Sequence, residues 1–592
     1  VIVKKPNKLT SRSHSLLVSL LVSFVLASVS LPSFVRRFAE YKEAVLNGFT
    51  PNESFYFTRI YSIQTPILSA QNSYIGVGNL GGLSNDSLSF PEILQRLAFF
   101  EFSQGIYENY IWFSLIFLSF SVLTVVKLIN MNPILNTTQN ILIHLLAFFT
   151  LYLLVSNERV AETEYGFYRV INPQFSLMLW LFSVLIVKSL FNHLLEGRSI
   201  RRQIFLGAVS TFIAQFSYIF VFLSLIVVYL LIGAYLFVRK KRRTAIGILA
   251  IWFLLLFQWT FTFLIEGRNP GFREASERLG LLESHLPGAF QTVLLCFASI
   301  LVASSSVAIG YFRNRNLVCS PLTLSIYVSS TALIVTSNSN LVSGKSIQFS
   351  DHFEIFAYMN LGLATVDVAW SLLKEKTHSL VVVSICFVLL TYSQVELFSG
   401  TYAAKESRRF DADVTKLISD LQGENLVVES PNTADLVPIY SSSKVLFDTR
   451  MVSYGFTNQE LLLRLYVTRG CPSRLTAEEI RYVYPYYIAP YLEKSERYSR
   501  VFSRLGLNRV AEFSVSPLKL VAERRERMIA EDVKNLYLNY GDVSCIALAR
   551  TYGATGVVLD GSGNWVRVLE SSRLKIKELN WANLRYFSFL NN

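Results

Sequence analysis

The sequence predicts a polytopic α-helical membrane protein with about eleven transmembrane helices, followed by a C-terminal extracytoplasmic α/β domain. Three observations predict it. Apolar stretches of roughly twenty residues, the length that crosses a bilayer core as a helix, recur from the N-terminus to about Phe398 and then stop. The chain of 592 residues is 52% hydrophobic and only 16% charged, which excludes a soluble single domain and a disordered chain. Its positive charges fall in clusters on alternate connections, the bias that orients membrane helices.

The expected spans are 15–35, 110–129, 140–155, 174–191, 204–218, 220–238, 245–265, 289–311, 321–337, 355–373 and 379–398. Lipid offers no hydrogen-bond partner to the backbone, so each must be helical. Residues 1–398 form the transmembrane part and 399–592 the tail. Lys4, Lys5, Lys8 and Arg12 precede the apolar run Ser15–Leu31, but no small-x-small cleavage site follows cleanly. The run is expected to stay as the first helix. Between 204 and 238 lie 35 residues without a charge, too long for one tilted helix. Two helices with a tight turn near Gln215-Phe216-Ser217-Tyr218 fit better.

With the N-terminus inside, the inner connections hold Lys188 with Arg198, Arg201 and Arg202; Arg239-Lys240-Lys241-Arg242-Arg243; Arg313 with Arg315; and Lys374 with Lys376. The outer connections are 36–109, 156–173, 266–288 and 338–354, and an odd span count puts the tail outside. The expected location is therefore the cytoplasmic membrane, multi-pass, with a cytoplasmic N-terminus and an extracytoplasmic tail. The net charge of +13 belongs to these inner clusters. No basic patch is interleaved with exposed aromatics, so nucleic acid is excluded as a partner.

The first outer loop, 36–109, is long for a connector, and such loops are usually functional or disordered. Phe34, Phe38, Tyr41 and Val45 recur at helical spacing, as in a helix lying in the membrane interface. Pro91 opens a second candidate, 92–103, with Ile93, Leu94, Leu97 and Phe100 apolar. The Gly-rich stretch Gly76–Gly82 follows no strand and opens no helix, so it is no dinucleotide fingerprint. No Walker or kinase motif and no His/Cys metal spacing occurs, which argues against ATP-driven transport by this chain alone.

Three segments carry a resemblance. Asn52-Glu53-Ser54-Phe55-Tyr56-Phe57-Thr58-Arg59-Ile60 resembles an acidic-x-aromatic-Tyr-x-x-Arg-Ile segment, and Tyr168–Phe175 resembles an Arg-x-x-Asn/Ser-Pro element. Asn340–Gly344 with Gln348-Phe349 and His352-Phe353 resembles an Asn-x-x-x-Gly and Gln-Phe-x-x-His pattern before a late span. In order and placement they are similar to the GT-C superfamily of membrane glycosyltransferases, over roughly 1–400. The resemblance implies a GT-C-like fold and transfer of a sugar from a polyprenyl-phosphate-linked donor to a glycan, lipid or protein acceptor outside the membrane. It implies a loop acid that assists the acceptor, and a divalent metal ion, Mg or Mn, as a possible cofactor. The family places an Asp in the first outer loop where this chain has Asn52-Glu53. A descendant that keeps the fold without catalysis, in envelope assembly or binding, is therefore the alternative. A lipid or solute transporter is a third reading, which the absence of clear half-repeats disfavours.

Each site residue has two readings. Glu53 is the loop acid, with Asp86 next, or a solvated loop carboxylate. Glu158, Glu162 and Glu164 are metal candidates with Glu53, or a solvated charge run. Arg169 and Lys345 hold the donor phosphate, or snorkel at the interface. His352 lies near the donor, or beside a capped helix start at Ser350 or Asp351. Asp367, inside the tenth span, is functional or makes a structural polar contact. His144 is a bundle hydrogen-bonder.

In the tail, 426–430, 444–448 and 556–560 read as strands, with Val566–Leu569 closing a small sheet. Residues 457–467, 476–487 and 524–551 read as helices, the last broken near Gly541. An outside tail permits a Cys471–Cys545 disulfide, with free buried thiols as the alternative.

Overall fold

The computed structural model describes residues 8–28, 90–101, 106–129, 143–148 with 151, 174–266, most of 268–347, 352–373 and most of 421–589. The first part is a helical bundle: α1 (Lys8–Ser28), α2 (Phe90–Glu101), α3 (Ile106–Ile129), α4 (Ser176–Leu195), α5 (Arg201–Gln215), α6 (Ile219–Val238) and α7 (Arg242–Glu266). After strand β1 (Leu281–Glu283) come α8 (Phe290–Asn314), α9 (Pro321–Ser337), the single turn α10 (Asn340–Ser343), strand β2 (Lys345–Ile347) and α11 (Glu354–Leu373). Among the described residues, five helices (α3, α4, α6, α7 and α8) are long and apolar enough to cross a membrane.

Local chemistry sets the helix limits. The apolar run 204–238 is broken where the sequence suggests, at Phe216–Tyr218. There the Ser217 hydroxyl donates to the Ile213 carbonyl at 2.7 Å, and Tyr218 adopts an extended φ of −158° that ends α5 and starts α6. Helix α9 begins on an N-cap: the Ser320 hydroxyl accepts from the Thr323 amide at 3.0 Å, and Pro321 takes the first helical position.

The bundle is wrapped in apolar surface. On α7 only one stripe, with Ala245, Ile248 and Trp252, is buried, while Phe253, Leu254, Phe257, Phe261 and Leu264 are exposed. Phe290, Leu294, Phe297 and Leu301 of α8 are exposed at the same helical spacing. Patches of this extent are not left to water; they fit acyl chains. Central helix α6, by contrast, buries Val221, Leu225, Tyr229 and Ile232. Helix α2 runs inside out. Glu92, Gln95 and Arg96, one face by their i, i+3, i+4 spacing, are buried at 1% exposure each, whereas Leu97 is exposed.

The second part has its own core around a five-stranded mixed sheet, ordered β4-β3-β5-β7-β6. Its elements in chain order are β3 (Asn425–Val428), β4 (Lys444–Val445), α12 (Asn458–Thr468), α13 (Ala477–Val483), α14 (Asn508–Tyr540), α15 (Cys545–Thr551), β5 (Gly556–Leu559), α16 (Asn564–Ser571), β6 (Ile576–Trp581) and β7 (Leu584–Phe589). Strands β4, β3 and β5 are parallel; β7 is antiparallel to both β5 and β6. Leu426 and Val427, which point to opposite faces, are both fully buried, as in a strand covered on both sides.

One expected strand is a helix. Val566–Leu569 lies in α16, which buries Trp565 and Leu569 four residues apart. A four-residue apolar run fits either period. Here the Trp565 indole N–H reaches the Val467 carbonyl at 2.9 Å, and hairpin β6–β7 takes the sheet edge. Gly470, at φ +71°, lets this contact form: a Cβ there would stand 2.7 Å from the Trp565 amide nitrogen. Cys471 and Cys545 are joined in a disulfide, with Cα atoms 5.6 Å apart, so the free-thiol reading fails for this pair. Cys296 and Cys319 are free.

The two parts touch through the segment after α7. Arg278 is fully buried; it donates to the Asn458 side-chain oxygen at 2.6 Å and to the Phe456 carbonyl at 2.8 Å. The Glu274 carboxylate accepts from the Asn458 amide. Three residues beyond Arg278, β1 pairs with β2, with Glu283 opposite Lys345.

Candidate functional site

One end of the bundle collects polar side chains from four separate connections. The Phe90 amide donates to the Phe216 carbonyl at 3.0 Å, and its ring meets Phe175 at 6.0 Å. This docks the start of α2 against the start of α4 and the α5–α6 turn. In that turn the Tyr218 hydroxyl and His352 Nδ1 share a hydrogen bond, with the two rings stacked at 5.6 Å. Phe220 packs on the other ring contact of His352 at 4.7 Å. Deeper between the helices, the Trp180 indole donates to Asn360 at 3.2 Å, and Asn360 donates to Ser329 and Ser330 at 3.0 and 3.1 Å.

Gln174 lies at this end. It is 1% exposed, and neither end of its amide has a hydrogen-bond partner among the described residues. A buried amide left in that state costs free energy, so the position favours a polar group arriving there. The buried face of α2 adds a cation. Burial lowers the Arg96 guanidinium to about 10, still charged at neutral pH. A planar guanidinium offers a fork of donors matched to phosphate oxygens.

The opposite end is different. Lys188 donates to the carbonyls of Lys127 and Leu128, the last turn of α3, where a cation complements the helix terminus. Asp367 accepts from the Ser306 hydroxyl at 2.9 Å and lies within electrostatic reach of Lys188. These contacts fit the structural reading of Asp367.

Of the residues singled out in the sequence, His352 falls in the polar end. Lys345 stands in β2 seven positions before it, and nothing is described of its side chain. Glu53, Asp86, Glu158, Glu162, Glu164 and Arg169 lie outside the described residues, as does the interfacial helix expected from Phe34. His144 is fully buried in the bundle. Glu92, Gln95, Arg96, Gln174 and Tyr218 were not singled out as site residues. The available signal was the polar stripe on 92–103, which the apolar stripe beside it overshadows.

A divalent cation would fall to Glu53, Glu158 and Glu162. Among the described residues no group of three His, Cys, Asp or Glu could hold a metal ion. No family model matches the sequence, and none of the curated proteins matches it.

Proposed function

We propose that the chain is a membrane glycosyltransferase that moves a sugar from a polyprenyl-phosphate-linked donor to an extracytoplasmic acceptor, on a GT-C-like bundle of about eleven spans with an extracytoplasmic α/β tail. The observation that carries the reading is the buried polar end, where the Tyr218–His352 pair lies in the turn against which α2, the helix that buries Arg96, is docked through Phe90. In the reaction, the acceptor hydroxyl attacks the anomeric carbon and Glu53, with Asp86 as the second candidate, takes its proton. The bond from that carbon to the phosphate oxygen breaks. The lipid phosphate leaves with its electron pair, its charge met by Arg96 with Arg169 and Lys345. His352, oriented by Tyr218, lies beside the donor. No step requires the metal.

The same contacts support an orientation. The β1–β2 pairing joins outer connections 266–288 and 338–354, and Arg278 joins the first of these to the tail. The Phe90–Phe216 and Tyr218–His352 contacts also unite connections assigned outside by charge, whereas Lys188 and Asp367 meet at the inner ends. A disulfide in the tail suits an oxidising compartment. These observations support a cytoplasmic N-terminus and a tail beyond the cytoplasmic membrane.

The test is transfer of labelled sugar from polyprenyl-phosphate donors into the envelope fraction, at matched expression. Glu53→Gln is expected to abolish it. Arg96→Lys, which keeps the charge but loses the fork, is expected to lower it tenfold or more. No transfer from any donor by the unaltered chain would refute the enzyme reading. Unchanged transfer in Glu53→Gln would move the acid to Asp86.

A further inference from the structure

The tail contains a second polar concavity, remote from the groups used above. It is a cleft of about 190 Å³ between α12 and α14. That is below the ~300–1,000 Å³ typical of drug-sized sites and leaves room for one ring.

Its lining is unusual for a helix pair. On α14, Asp532, Asn535, Leu536, Asn539 and Tyr540 follow the i, i+3, i+4, i+7, i+8 pattern that carries the apolar stripe of a packed helix. Here only Leu536 is a buried hydrophobe, and the stripe is mainly carboxylate and amide. Facing it, α12 contributes Gln459 and Glu460 together with Leu462 and Leu463. The two helices still pack beside the cleft, where Tyr466 and Tyr537 meet edge to face at 5.7 Å.

The charges narrow the ligand. Glu460 accepts from Arg464 Nε at 2.7 Å and from the Tyr552 hydroxyl at 3.3 Å, so its charge is compensated. Asp532 accepts from the Tyr484 hydroxyl at 2.8 Å. Burial, more than any neighbour, pushes Asp532 above the usual carboxylate range. An anion would meet two carboxylates and is repelled. A metal ion finds no three-ligand group among the described residues. The three amides of Asn535, Asn539 and Gln459 outnumber the one carboxylate not already paired with a cation, a lining that favours a neutral ligand rich in hydroxyls over an organic cation. Each carboxylate keeps lone pairs for O–H donors, and each amide presents a donor beside an acceptor, which suits adjacent hydroxyls.

We propose that this cleft binds a neutral saccharide unit, held by Asn535, Asn539 and Gln459 and by the free lone pairs of Asp532 and Glu460. The C–H face of the ring rests on Leu536. The cleft opens beside Thr457, next to the Asn458 that Arg278 holds, so the saccharide sits close to the tail's attachment to the bundle. The proposal does not depend on transferase activity.

The experiment is saturation-transfer NMR on the full chain in nanodiscs, free of glucoside or maltoside detergent. The probes are methyl glycosides of glucose, galactose, mannose and arabinose, with inorganic phosphate as the anionic control. Saturable binding of at least one glycoside and none of phosphate is expected. Asn535→Ala combined with Asn539→Ala should weaken it tenfold or more, and Asn539→Trp, at an exposed position, should block it by filling the space. Arg96→Lys should leave it within twofold, which separates this cleft from the membrane site. Absence of glycoside binding, or binding that survives both cleft variants or is lost in Arg96→Lys, would overturn the proposal.

Discussion

A fully buried arginine needs a reason, and Arg278 has a structural one. Its guanidinium spans the Asn458 side chain and the Phe456 carbonyl, and the neighbouring Glu274 takes the Asn458 amide at the start of α12. Hydrogen bonds to charged groups contribute about 1.5–3 kcal/mol each, and removing one partner leaves buried acceptors unpaired. Arg278→Ala is therefore expected to destabilise this attachment by about 3 kcal/mol or more. Limited proteolysis of the purified chain should then cut faster within 268–280, splitting the chain between α7 and α8, while Arg278→Lys gives an intermediate rate. Equal protease resistance in Arg278→Ala and the unaltered chain would show that the attachment rests elsewhere. Nothing in the sequence marked Arg278. It stands in a polar connection, and only the fold brings it against residues about 180 positions away.

At the scale of elements, legibility tracked length and environment. Helix α9 occupies the span expected from sequence, and the turn at 216–218 was readable because 35 uncharged residues exceed one crossing. The long tail helix ends at Tyr540, next to the Gly541 break suggested by the sequence. Short segments were legible unevenly: β3, β4 and β5 fall on expected strands, whereas α16 read as a strand and the hairpin β6–β7 carries charged and polar residues that hide its alternation. Helix α2 lies where the sequence suggests, at 92–103, but which of its faces is buried was not legible. In water its apolar stripe would face the core, but beside lipid the polar stripe turns inward. Close helix contact supplies a test at this scale. Helices α5 and α6 approach where Gly207 faces Tyr229, and a Cβ on Gly207 would stand 2.0 Å from the Tyr229 hydroxyl oxygen. Small residues permit such approach between membrane helices. Tyr229 in turn stacks on Trp252 of α7 at 3.9 Å, so the clash would spread to a third helix. Gly207→Ala should cost about 1–3 kcal/mol by overpacking, seen as a lower melting temperature in nanodiscs. Tyr229→Leu should restore part of the loss in the double variant. A melting temperature unchanged by Gly207→Ala would mean that the helices separate at no cost.

For the whole molecule, the charge pattern and the tertiary contacts group the same connections together. Charge assigns each connection to a side without knowledge of contacts; the contacts unite 90 with 216, 218 with 352, 283 with 345 and 278 with 458 without knowledge of charge. Every pair falls on one assigned side, as the proposed alternation requires. Cysteine chemistry measures the absolute direction. With Cys296, Cys319 and Cys386 replaced by serine, the two remaining cysteines, Cys471 and Cys545, are paired and silent to maleimide. Ser473→Cys and Lys240→Cys then place single thiols at exposed positions of the tail and of the α6–α7 connection. A membrane-impermeant maleimide is expected to label position 473 in intact cells and position 240 only after permeabilisation. The reverse pattern would invert the protein, placing the disulfide and the Tyr218–His352 end on the cytoplasmic side, and with them any donor lipid. Labelling of both in intact cells would break the alternation from which the orientation was drawn.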